Sequence, residues 1–252
     1  FAIPVLSILH SCVASWWQAV RTGPLPDDFA WRTALVSDGL RRSTLVVTPS
    51  AAFGETVRAL YGVRPITVHN GRTISVPAAP MMDHVFTAGR LWDEGKNLRT
   101  LDEAAQHIGV PFKAAGPLRA PHGEAIGLRH IHALGSLDGG ALARQLASRP
   151  VFASAALYEP FGLAVLEAAS AGCALVLSDI PTFRELWDGA ALFVDPRDAQ
   201  GFARAIEDRI ADLPDRIDAG RRAAVRAATY TPARTGAQMA SLYARLAQRS
   251  AA

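Results

Sequence analysis

Cysteine is scarce in this chain: of 252 residues only Cys12 and Cys173 carry a thiol. They lie far apart, without a C-x-x-C pair or Cys/His ligand spacing, which excludes a disulfide framework and a structural zinc site. A reducing, cytoplasmic setting is therefore expected. Charge is also sparse, at 19% Asp, Glu, Lys and Arg, with a net of +3. That balance is too mild to indicate nucleic acid. It suits phosphate-bearing small molecules and leaves open a peripheral contact with an anionic membrane. No apolar run approaches the roughly 20 residues of a membrane span, and the opening FAIPVLSILHSC lacks the basic start of a signal peptide. It reads as a buried strand from mid-domain, so the chain is expected to begin inside a longer protein. Repeats and low-complexity tracts are missing, and with half the residues hydrophobic, disorder is excluded as the bulk state.

What is present is alternation. Apolar runs of four to seven residues alternate with longer segments of helical period, the pattern of βαβ units around a parallel sheet. Strands are predicted at 5–9, 44–48, 66–69, 84–88, 112–115, 131–134, 151–153, 174–177 and 191–194. A turn dipeptide and two prolines in NGRTISVPAAPMMD, residues 70–83, mark a break between two stretches of this pattern. The expected organisation is α/β: a partial first domain over 1–76, a linker over 77–82, a complete doubly wound domain over 83–230, and a last helix over 231–252. The first domain, with about three strands, has too few to cover both faces of such a sheet. From Ala199 onward the chain reads as helical, with Ala203, Ile206 and Ile210 on one stripe. A final amphipathic helix carries Met239, Leu242, Tyr243 and Leu246 on its apolar face.

The stretch YEPFGLAVLEAASAGC places Glu159 and Glu167 in a run that is otherwise apolar or small. Pro160 suits the first position of a helix, which puts Glu159 at the cap, where glutamate serves poorly. Glu167 interrupts an apolar helix; an ionised carboxylate there needs donors from main chain, an arginine or a ligand's hydroxyls. Eight helical residues rise about 12 Å. That separation fits an elongated ligand and exceeds the roughly 5 to 9.5 Å of a glycosidase carboxylate pair. The N–H groups of Phe161, Gly162 and Leu163 at the helix start form an anion site, and Gly162 admits close approach.

EPFGLAVLE, followed by AGCALVLSDIPTFREL, resembles the E-x7-E signature of the retaining glycosyltransferases of family 4, which have the two-domain GT-B architecture of Rossmann-like sheets. FTAGRLWDEGKNL, FKAAGPL, HALGSL and TVHNGR resemble further segments of that family in the same order. The resemblance implies transfer of a sugar from a nucleoside diphosphate to an acceptor with retention of configuration. It implies that Glu159 bonds the donor sugar and Glu167 the ribose hydroxyls, while Arg90 and Lys96 grip the diphosphate as a charge clamp on the leaving group. His10 matches the family's first-domain histidine facing the donor sugar, Leu137 is placed against the base, and Ser50 opens a first-domain helix. The last helix is expected to cross back to the first domain. No cofactor or metal is expected, and the chain has no D-x-D carboxylate pair. The other histidines, at 69, 84, 107, 122, 130 and 132, show no H-x-H or H-E-x-x-H spacing on a helix, His130 and His132 alternating on a predicted strand, and are given no metal role; Trp16 and Trp17 read as packing rather than a sugar platform.

The chain departs from the family pattern in GKN, where many members have Lys-Gly, and in DIPTFREL, which lacks a Gly-Gly often seen there. Two other readings remain: a nucleotide-sugar-binding fragment without turnover, and a GT-B-like sugar-nucleotide epimerase. Acceptor, sugar and base are not legible.

Overall fold

Parallel strands cannot be joined by tight hairpins, so each must be followed by a crossover, and the helical segments of this chain supply one after almost every strand. The computed structural model of the protein describes residues 3–250. The chain divides into two units, one formed by residues up to 71 together with those from 230 on, the other by Arg72–Thr229.

In the first unit, β1 (Leu6–Ile8), α1 (Val13–Val20), α2 (Asp27–Arg42), β2 (Leu45–Thr48), α3 (Ala51–Tyr61) and β3 (Ile66–Thr67) follow one another. The strands form a parallel sheet in the order β1-β2-β3. Ser50 caps α3, its Oγ accepting from Phe53 N at 3.2 Å. Val47 and Val68 pack against Leu242, with Met239 beside them.

The second unit contains β4 (Val85–Ala88), α4 (Leu98–Ala105), β5 (Phe112–Ala115), β6 (His132–Ala133), α5 (Gly139–Ala147), β7 (Val151–Ser154), α6 (Leu163–Ser170), β8 (Leu175–Ser178), α7 (Pro181–Trp187), β9 (Ala191–Val194), α8 (Ala199–Ala211) and α9 (Leu213–Ala227). α10 (Pro232–Ser250) then belongs to the first unit, which explains Leu242 in its core. The six strands are all parallel, in the order β6-β5-β4-β7-β8-β9. Numbered within the unit this is 3-2-1-4-5-6, the doubly wound order. Val85, Val151 and Val176 from the strands, Leu98 and Leu101 from α4, and Phe202 and Ile206 from α8 form one buried cluster. Short polar residues start the surrounding helices: Asp138, Asp198 and Asp212 accept the N–H of Ala141, Gly201 and Asp215 at 2.7–2.9 Å.

All nine strands fall within two residues of their expected places. Three expectations change. α6 begins at Leu163, not at Pro160, so Glu159 is no cap and lies three residues before the cap position, Gly162. Leu163 is exposed rather than packed, and Tyr243 on α10 is 54% exposed, outside the apolar face. Among the described residues no helix is long and apolar enough to cross a membrane.

Candidate functional site

In a doubly wound sheet the connections run outward in opposite directions from one point, here between β4 and β7, and the loops leaving the carboxyl ends of those two strands diverge to leave a crevice. Six of the sequence candidates sit on loops that follow strands of this sheet. Arg90 and Lys96 follow β4, Leu137 follows β6, and Glu159, Phe161 and Gly162 follow β7.

The β4 loop has little freedom. Gly89 N donates to Ala115 O at 3.0 Å, and Gly116 N donates to Gly135 O at 2.8 Å. A Cβ on Gly116 would lie 1.8 Å from Gly89 O, so only glycine fits this crossing of two main chains. Beyond Trp92 the chain makes a single 3-10 turn, Glu94–Lys96, started by Asp93, whose Oδ1 accepts from Gly95 N at 2.9 Å. Asn97 ends it in the left-handed conformation, φ 53°. Its Nδ2 donates to Ala155 O at 3.0 Å and Pro196 O at 2.6 Å, joining the loops that leave β4, β7 and β9. Gly95 O accepts from Leu157 N and Tyr158 N, so the first two of those loops also meet main chain to main chain.

This frame brings Lys96 Nζ onto Glu159 Oε2 in an ion pair, with both side chains largely buried. The lysine stem passes Gly89, its Cε 3.6 Å from where a Cβ would be. Gly162 supports the arrangement from below: its φ is +93°, and a Cβ there would lie 3.1 Å from Phe183 and 3.3 Å from Glu159 Cγ. α6 therefore starts directly behind Glu159, and the N–H groups without an intrahelical acceptor begin at Leu163 rather than at Phe161. Phe161 is buried.

Glu167, one turn into α6, is 6% exposed. Its Oε1 pairs with Nε of Arg72, at the start of the same unit. Burial pushes the Glu167 carboxyl above the ordinary glutamate range, and the Arg72 charge offsets only part of that rise. Only the stretch from Leu163 to Glu167 is helical, so the separation of the two glutamates does not follow from eight residues of helical rise.

Other candidates stand apart from this pair. Arg90 donates to Asp93 Oδ2 at 2.9 Å and lies over the Trp92 ring, with most of its side chain exposed. Leu137 is half-buried just before the Asp138 cap of α5. His10 is exposed, two residues past β1 in the first unit. Trp17 packs edge-on against Phe29, at 6.1 Å between ring centroids. Among the described residues no three His, Cys, Asp or Glu side chains come together as a metal site.

Sequence reasoning passed over two contributors. Arg72 stood in TVHNGR without a role, since nothing local to that turn points to Glu167, 95 positions on. Asn97 was legible in part: Asn is among the few residues other than Gly that adopt φ > 0.

The 3-2-1-4-5-6 sheet with a polar constellation at its switch point, preceded by a second parallel sheet, defines an α/β protein of GT-B architecture, and solved structures bear this out. Sucrose-phosphate synthase from Thermosynechococcus elongatus matches with a TM-score of 0.81 and 20% identity over 97% of this chain and 68% of its own. Anabaena HepE in complex with UDP and glucose matches with a TM-score of 0.75 and 18% identity, over 96% and 71%. A glycosyltransferase from Rickettsia africae matches with 0.66 and 14%, over 96% and 76%. The family described as Glycosyl transferases group 1 matches residues 83–212, just over half of the sequence, and the chain belongs to that family. No curated protein matches it.

Proposed function

We propose that this chain transfers a sugar from a nucleoside diphosphate sugar to an acceptor, with retention of configuration and without a metal. The reading is carried by the Lys96–Glu159 ion pair, which joins the two loops flanking the switch point. Lys96 and Arg90 would meet the diphosphate, Glu159 the donor sugar and Glu167 the ribose hydroxyls, while Leu137 lies along the base. His10 takes part in turnover. HepE has been crystallised with UDP-glucose, which makes UDP and its sugars the first donors to try.

The chemistry asked of these groups is electrostatic. The bond from the anomeric carbon to the diphosphate oxygen breaks with its electron pair on that oxygen. The acceptor oxygen bonds to the anomeric carbon on the same face, and the departing phosphate oxygen takes the acceptor's proton. Lys96, Arg90 and the free N–H groups at the start of α6 stabilise the negative charge that develops. No general base from the protein is then needed.

The test pairs two variants. Glu167→Ala weakens UDP binding by about tenfold, the worth of a hydrogen bond to a charged group, with a smaller effect on turnover of bound donor. Glu159→Ala lowers kcat and leaves UDP binding near wild type. Donor hydrolysis, assayed with and without a chelator and with the product anomer assigned by NMR, measures turnover, metal dependence and retention together. Wild-type binding and turnover in both variants would refute the assignment.

A further inference from the structure

Glu167 is the most buried acidic side chain at the candidate site, and its surroundings bring it little help. α6 presents Val165, Leu166, Ala168 and Ala169 to the interior, all nearly inaccessible. α6 packs against β7 with sequence VFAS and β8 with sequence LVLS, which carry no charged residue, and against α9, whose arginines and aspartates do not act on Glu167 as the Arg72 charge does. Its partner is Arg72, whose side chain is 48% exposed and whose Nε pairs with Oε1. Among the described residues no donor meets Oε2. The carboxylate is thus held at one oxygen, while the other, on a side chain 7% exposed, is left as an acceptor. An acceptor so placed suits a ligand that brings its own hydroxyl donors, because an ionised carboxylate has about four acceptor sites and Arg72 takes one.

We propose that Arg72 is a positioning residue: it fixes Glu167 by one oxygen and so makes the other a receptor for the vicinal hydroxyls of the donor's ribose. This rests on the reading of Glu167 as the ribose-holding group. Arginine suits the task because its charge is permanent and its planar head holds direction, and a half-exposed guanidinium can keep its grip while the ligand enters. Lysine at this place would supply the charge with less directional control.

The experiment measures ribose recognition directly. UDP, GDP and ADP, each beside its 2′,3′-dideoxy analogue, are titrated calorimetrically into the wild-type chain and into Arg72→Ala, Arg72→Lys, Glu167→Ala and the double Arg72→Ala/Glu167→Ala, with circular dichroism confirming the fold of each. Wild type is expected to prefer the ribose form of its best nucleotide by about tenfold. Arg72→Ala and Glu167→Ala each reduce that preference to about twofold or less. The double variant loses no more than either alone, and Arg72→Lys recovers part of the loss, as for two groups acting as one. If Arg72→Ala keeps the preference while Glu167→Ala abolishes it, the inference fails and the reading of Glu167 stands. If Glu167→Ala keeps it, or wild type shows none with any of the three nucleotides, both fall.

Discussion

Asn97 offers a way to weigh backbone conformation against side-chain bonding at the site. Replacing it by Ala removes the two hydrogen bonds from Nδ2 to Ala155 O and Pro196 O, and the weaker one that Oδ1 accepts from Thr100 Oγ1 at 3.1 Å. At about 1 kcal/mol for each of the two carbonyl bonds, the loss is about 2 kcal/mol. Alanine must also hold φ near 53°, which costs a further ~1 kcal/mol for a residue with a Cβ. The sum of ~3 kcal/mol corresponds to a melting point lower by about 6–12 °C for a unit of this size. Asn97→Gly loses the same bonds but adopts the left-handed conformation without strain, so its melting point falls by only about 4–8 °C. Differential scanning calorimetry of the three proteins in one buffer is the assay. Identical melting points for the two variants would show that the conformation carries no cost, and a wild-type melting point in both would show that the bonds carry no stability.

Gly116→Ala should be among the most damaging single changes, costing about 4 kcal/mol or more, because its Cβ would enter the Gly89 carbonyl at 1.8 Å; a urea midpoint close to wild type would contradict the crossing of the two chains. Asp102 accepts the N–H of Arg129, His130 and Ile131 at 2.9–3.0 Å, so Asp102→Ala strands three donors and should cost about 3 kcal/mol, with faster amide exchange at those three residues as its signature. His84 is 4% exposed, and burial followed by the Lys113 charge lowers its pKa, more than the Met82 carbonyl and Asp83 offset. The unfolded chain therefore takes up a proton near pH 6.5 that the native state refuses, so stability falls as pH drops through that value until the native group titrates in turn. His84→Leu should lose less melting temperature between pH 7.5 and pH 5.5 than wild type does, and equal losses would refute the assignment.

The strands were readable because burial on both faces of a parallel sheet leaves short, nearly continuous apolar runs, a signal contained within each segment. The start of α6 was not. Pro160 is a good first helical residue, yet the chain turns through φ +93° at Gly162, where a side chain would press on Phe183 and Glu159, a tertiary constraint that local preference cannot register. Tyr243 was misplaced for a related reason: periodicity marks a stripe on α10, while the part of it that is covered depends on a short sheet that meets Leu242 and Met239 and leaves Tyr243 in solvent. The ion pairs divide in the same way. Lys96 and Glu159 could be named from their segments, whereas the link from Arg72 to Glu167 exists only once the chain is folded. The departure at GKN now has a cause, since a site where glycine would serve for its backbone has taken one of the few alternatives that adopt φ > 0, and its side chain also bonds.

The loops of the site are joined to one another mainly through peptide groups: Gly89 to Ala115, Gly116 to Gly135, and Leu157 and Tyr158 to Gly95. Main-chain bonds do not depend on which side chains the loops display. Side chains on these loops can therefore be exchanged while the frame that presents them stays in register. A scaffold of this kind can exchange specificity in single mutational steps, each tested by selection on chemistry alone rather than on folding and chemistry at once.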